Sequence, residues 1–197
     1  MKISHYKFIQ QVFLSVMLIG LIISCTPEEK FIGNLEEYPG EKTGTIKTYR
    51  EDGSLYQEGQ FTDGKLEGHR RIYFPSGEIQ IEETHANNTY HGSYKKYFEN
   101  GQLKSEGEYK DGSMEGVWKR YYEDGAVRDE VAMKDNLENG PFKEYYENGN
   151  LKATGEYKGG EFEEGPLQLF DESGTLIKKM NCTNGVCHTV WEKESAE

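Results

Sequence analysis

Basic residues are few. The chain of 197 residues carries 23 Lys and Arg against 35 Asp and Glu, a formal charge of −12. Proteins that hold DNA, RNA or an anionic lipid surface need basic patches that displace counterions from phosphate. No nucleic-acid partner is therefore expected. Apolar residues are scarce too, at 35% with a mean hydropathy of −0.85, which argues against a thick globular core. The apolar run from Val12 to Ile23 has twelve residues, short of the ~20 that a membrane-spanning helix needs. Catalytic patterns are missing as well. No Ser-His-Asp order, carboxylate pair or metal-ligand cluster stands out, so neither an enzyme nor a cofactor is expected. Gly59 to Leu66, "GQFTDGKL", approaches the phosphate loop G-x-x-x-x-G-K-S/T but fails at Leu66, and no helix follows.

Aromatics make up 13% of the chain, with 14 tyrosines, and glycine occurs 23 times. Disordered chains lack such aromatic content, and the mixture suits a thin β structure with many tight turns. Gly44, Gly68, Gly92, Gly116 and Gly140 are spaced by 24 residues, and Gly165 follows at 25. Gly53, Gly77, Gly101, Gly125, Gly149 and Gly174 form a second series with the same spacings. A fixed period of this length marks a repeat architecture, here of six units.

Each unit holds two strand-like segments and two turns. In the third, Ser93 to Phe98 is followed by Glu99-Asn100-Gly101, where Asn and Gly tolerate positive φ, then by Gln102 to Tyr109 and a second turn at Asp111-Gly112. The second turn is Asp63-Gly64, Asn87-Asn88, Asp135-Asn136, Gly159-Gly160 and Asn184-Gly185 elsewhere, all suited to left-handed backbone. Each unit is thus a β-hairpin. Alternation puts Leu103, Ser105, Gly107 and Tyr109 on one face and Lys104, Glu106 and Glu108 on the other. Gly59, Gly107 and Gly155 leave room for a neighbouring ring against the backbone.

The Tyr-rich strand, Tyr97-Phe98-Glu99-Asn100-Gly101, and the segment Gly107-Glu108-Tyr109 through Gly112 resemble the bacterial variant of the MORN repeat, over residues 44–191. The resemblance implies an all-β fold: an elongated antiparallel β-meander of six hairpin repeats in a single-layer twisted sheet. It also implies interaction or scaffold roles without enzymatic activity, some members being antitoxin-like. Units two and four depart from the pattern. Glu83 and Val131 replace the strand glycine, and His85 and Met133 replace the aromatic.

The N-terminus gives an address. Lys2 and Lys7, the short apolar run and Ile22-Ile23-Ser24-Cys25 resemble a bacterial lipoprotein signal peptide over residues 1–24, with Cys25 the residue that is lipidated. Cleavage removes two lysines and leaves a charge of −14. Thr26 after the cysteine implies the outer membrane by resemblance to lipoprotein sorting, and Glu28 and Glu29 resemble a surface-export tract. Residues 25–43 are expected to form an acidic tether reaching up to roughly 60 Å from the lipid, and 192–197 a C-terminal tail.

Three groups of side chains are candidate sites. Tyr49, Tyr73, Tyr97, Tyr121, Tyr145 and Phe170 lie four residues before each first-turn glycine and face the lysines and glutamates. A row of rings on a polar face suits a protein or glycan partner, or else covers glycine and backbone. Cys182 and Cys187 flank Asn184-Gly185 on opposite arms of a turn, where a disulfide is feasible. His188 beside Cys187 opens a metal reading that lacks a fourth ligand. His85 and His91 bracket another turn without a third ligand. The chain is expected to be a membrane-anchored envelope lipoprotein acting as a non-catalytic binding or scaffold module. The alternatives are a passive spacer and an antitoxin or immunity protein.

Overall fold

The computed structural model describes residues 31–35, 43–160 and 162–194. The signal peptide and Cys25 lie outside the described residues. So do most of the tether and the end of the tail. Among the described residues, fifteen strands form one open sheet. They are β1 Phe31–Ile32, β2 Gly44–Tyr49, β3 Leu55–Thr62, β4 Lys65–Tyr73, β5 Ile79–Ala86, β6 Thr89–Tyr97, β7 Leu103–Lys110 and β8 Ser113–Tyr121. Then follow β9 Val127–Lys134, β10 Leu137–Tyr145, β11 Leu151–Gly160, β12 Phe162–Glu163, β13 Gly165–Phe170, β14 Leu176–Thr183 and β15 Val186–Glu192. Strands pair with their chain neighbours, antiparallel from β2 onward, except that β12 pairs only with β11 and the path continues to β13. The expected antiparallel meander is the observed fold. At about 4.8 Å per strand it extends roughly 60 Å.

The two turns of each unit differ in backbone. At the second, both residues are left-handed, as in Asp111 (φ 50) and Gly112 (φ 86) or Asn87 (φ 52) and Asn88 (φ 67). This is the two-residue type I′ hairpin, whose twist matches the strands. At the first turn only the glycine is left-handed, Gly101 at φ 82, so Asn100 does not use the freedom expected of it. Instead Gly101 N–H donates to Phe98 O (3.0 Å) and Asn100 Oδ1 accepts from Gln102 N–H (2.9 Å), a type I turn closed by a glycine bulge. The 25-residue spacing also has a local cause. Lys158 pairs with Phe162, so three residues span that turn instead of two.

A wide irregularity recurs where each first strand passes its predecessor. Gly59 pairs with Arg70 and Phe61 with Leu66, so residues 67–69 stand opposite Gln60. The same happens between β5 and β6 and between β9 and β10. Gly68, Gly92 and Gly140 sit at the centres, with φ of 101, 101 and 118. Such bulges bend a strand and increase its local twist.

The apolar residues gather on one face, the core face. Leu35, Ile46, Phe61 and Leu66 form one cluster, and Val131, Phe142 and Ala153 another, joined by Met133, Tyr157, Leu167 and Leu169. Between them runs a ladder of rings. His85 lies 4.5 Å from Tyr90, Tyr90 lies 4.9 Å from Tyr109, and Tyr109 lies 5.1 Å from Trp118. Aromatic pairs at such distances contribute about 0.5–1.5 kcal/mol beyond their burial. Trp118 lies flat on Gly107 and Phe142 on Gly155, whereas Gly59 is covered by leucines, Leu66 and Leu35.

Where the glycine and the ring are both replaced, an ion pair fills the space. Glu83, only 2% exposed, takes the glycine position, and Arg70, 7% exposed, takes the ring position. Arg70 Nη1 donates to Glu83 Oε1 (3.2 Å) and Nη2 to Gln57 Oε1 (2.7 Å), while His85 Nε2 lies 3.0 Å from Glu83 Oε1. Removing one partner would strand a buried charge, which is strongly destabilising. In unit four Val131 instead packs on Phe142.

The tether expectation needs correction within the described residues. β1 pairs in parallel with β2, Phe31 opposite Thr48, and Leu35 is 3% exposed in the first cluster. Residues 31–35 are therefore part of the folded sheet. Burial of an apolar side chain outweighs the freedom of a linker here.

Candidate functional site

The stripe residues end their strands. Tyr49, Tyr73, Tyr97, Tyr121, Tyr145 and Phe170 are the last residues of β2, β4, β6, β8, β10 and β13. They are half-buried, and hairpin spacing sets successive rings roughly 10 Å apart. Their face opposes the ring ladder, as alternation demands. The hydroxyls are not free. Tyr73 donates to Glu58 Oε1 (2.8 Å), Tyr97 to Glu82 Oε2 (2.8 Å) and Tyr121 to Glu106 Oε1 (2.6 Å), each one hairpin back. Tyr145 meets Glu130 in the same way.

Basic side chains complete the pattern. Arg71 Nε lies 2.9 Å from Glu82, Lys47 Nζ 3.4 Å from Glu58 and Lys119 Nζ 3.0 Å from Glu130. Burial, then the adjacent glutamate, pushes the phenols of Tyr73, Tyr97 and Tyr121 up to about 12. Arg71 above all, with Tyr97, holds the Glu82 carboxyl below its ordinary value despite partial burial. Tyr73, Tyr97 and Tyr121 thus stay as phenols, and Glu82 as a carboxylate, across the physiological range. This face offers ring surfaces and fixed charge, with hydroxyls already committed. The stripe is also clamped through its backbone. Tyr122 hydroxyl donates to Tyr145 O (2.8 Å), Tyr146 hydroxyl to Phe170 O (2.9 Å), and the Arg50 guanidinium to Tyr73 O.

The tyrosine–glutamate contact recurs in four successive units, at Tyr73, Tyr97, Tyr121 and Tyr145. A family model described as MORN repeat variant matches residues 42–63, 66–87, 90–111, 114–135 and 138–158, more than half of the chain. The chain belongs to the MORN repeat variant family. No curated protein matches it. The hairpins of β13, β14 and β15 lie beyond the matched MORN segments yet keep the fold, with Cys182 opposite Cys187 across a type I′ turn. The two sulfurs are joined, at 2.02 Å, in the place that Tyr109 and Met114 hold in the third MORN unit. His188 is exposed beside them. His85 and His91 are separated, His85 buried against Glu83 and His91 exposed with Nδ1 3.1 Å from Asp111 Oδ1. The phosphate-loop lookalike is the β3–β4 hairpin, with Gly64 in an ordinary turn and Lys65 the first residue of β4.

The recurrent glutamates have roles that strand alternation alone does not show. Those of β3, β5, β7 and β9 receive the tyrosine hydroxyls. Others cap turns: Glu67 accepts from Asn87 N–H (2.7 Å), Glu115 from Asp135 N–H (3.1 Å) and Glu164 from Asn184 N–H (3.0 Å). Each capping glutamate stands directly before a glycine of the first series, Gly68, Gly116 or Gly165.

Proposed function

We propose that this MORN protein is a lipid-anchored envelope protein whose polar face binds or spaces other macromolecules without catalysis. The supporting observation is the stripe itself: half-buried rings recurring on one continuous face, their hydroxyls held by glutamates. Affinity then comes from many shallow contacts along a stiff surface, with the ring edges and flanking charges of each unit adding to the next. The partner is a protein or a glycan, and the outer membrane is the address that Cys25 and Thr26 support by resemblance.

The test separates anchor, stripe and spacer. Cys25→Ala should move the protein from the membrane to the soluble fraction; unchanged fractionation would remove the anchor. Crosslinking capture from intact envelopes should survive Tyr97→Phe with Tyr121→Phe, which keep the rings. It should fall with Tyr97→Ser and Tyr121→Ser. Equal capture by both pairs would show that the rings only pack, and no specific capture by the unmutated chain would leave a passive spacer.

A further inference from the structure

The core face carries a second seat built like one that the chain fills with its own residues. After β1, the backbone crosses onto the core face and Leu35 enters the cluster of Ile46, Phe61 and Leu66. Gly59 makes the approach possible, since a Cβ there would stand 3.0 Å from Leu35 Cδ1. Asn34 Oδ1 accepts from Gln57 Nε2 (3.4 Å).

Two repeat units further on, the same positions recur with other side chains. Ile46 becomes Tyr94, Gln57 becomes Ser105, Phe61 becomes Tyr109, Leu66 becomes Met114 and Arg70 becomes Trp118. They line an open trough of about 330 Å³, at the small end of ligand sites. Leu35 forms a wall of the corresponding trough in the first units. No described segment crosses the second one. Trp118 already covers Gly107, so an incoming side chain rests on the step between Trp118 and Tyr109, beside Met114 and Met133. Methionines adapt to varied apolar shapes.

Two further observations define the occupant. The Trp118 indole N–H is buried and has no partner among the described residues, and such a donor is costly to leave unpaired. A carbonyl from an extended backbone or an Asn side chain would satisfy it. The rim is also polarised. Lys96 and Arg120 stand at one end of the trough and Glu138 at the other. Asp129, also at the basic end, is shared by Arg120 and Arg128 at 2.5 and 3.0 Å, which leaves that end with net positive charge. Acidic residues after the apolar anchor would complement Lys96 and Arg120.

We propose that this trough docks an extended peptide segment of a partner protein, an apolar residue with an amide neighbour and following acidic residues, seated as residues 31–35 are seated over the first units. The proposal rests on the reading of the chain as a binding module and names one site for it, on the face opposite the tyrosine stripe.

The chain has two tryptophans, so Trp191→Phe leaves Trp118 as the only indole reporter. The probe is the end-blocked peptide of residues 31–37, Phe-Ile-Gly-Asn-Leu-Glu-Glu, titrated into the full chain. The expected result is a saturable change in Trp118 emission with a dissociation constant below about 1 mM. Ser105→Phe, which fills the trough, should abolish it, and Lys96→Glu on the rim should weaken it at least about threefold. The absence of saturation, or equal binding by both variants, would overturn the proposal. Envelope capture by the Ser105→Phe chain separates the two readings. If the peptide fails while capture persists in both chains, the trough is wrong and the module stands. If the unmutated chain captures nothing, the module reading fails irrespective of the peptide.

Discussion

Gly107→Ala tests the packing on which the ring ladder depends. The backbone at Gly107 is not left-handed, so its conformational freedom is not at issue. An added Cβ would lie 2.2 Å from Trp118 Cδ2, 2.3 Å from Cε2 and 2.7 Å from Cγ. Carbon atoms in contact stand about 3.5–4.0 Å apart, so the indole must lift by at least about 1.3 Å. It cannot lift without disturbing Tyr94 and Tyr109, whose ring centroids are 5.6 and 5.1 Å away. Overpacking of this kind costs about 1–3 kcal/mol. Full expulsion of the ring would forfeit the burial of 150–250 Å², about 4–6 kcal/mol at ~25 cal/mol per Å². The expected loss is about 3 kcal/mol, with a red-shifted Trp118 emission, read by urea denaturation in a Trp191→Phe background. The same substitution beside Trp118→Ala should cost nothing, or stabilise by about 0.5–1 kcal/mol, because alanine suits a strand better than glycine. A cost below about 1 kcal/mol with unshifted emission would refute the argument. So would equal costs in both backgrounds.

The phenols of Tyr73, Tyr97 and Tyr121 are raised by burial and by glutamate to about 12. Their contribution is therefore complete below pH 10 and lost as pH rises from 10 towards 12. Stability measured against pH should fall in that window, and less so when all three are phenylalanine; an identical fall would assign it elsewhere. Asn136→Ala should cost about 1–2 kcal/mol in denaturant midpoint, because the residue is left-handed (φ 67) and its Oδ1 accepts from Met114 N–H at 2.7 Å. A neutral result would show that the turn tolerates any residue. Cys182→Ser with Cys187→Ser should loosen the last hairpin by about 2 kcal/mol, from the small loop closed. Hydrogen exchange should speed up in β14 and β15 and not in β7; uniform loss along the sheet would contradict that locality.

The period of 24 residues, the type I′ dipeptides and the first-turn glycines fix hairpins in series, because turn geometry is decided by one or two residues without help from distant chain. Alternation likewise put Tyr97 and Tyr121 on the polar face. What period-two reasoning did not supply is register. Three residues stand opposite one at each bulge, and this offset decides which glutamate reaches which tyrosine or turn. The hydroxyl contacts span 15 residues and the turn caps 20, beyond any local pattern. Unit two shows the same limit. Glu83 looked like a departure from the strand glycine, and only the assembled sheet places Arg70 beside it at 3.2 Å. Composition alone made residues 31–35 a tether, yet a buried Leu35 holds them on the sheet. Local backbone preference is written along the chain; the pairing of side chains across strands comes into being when the sheet forms.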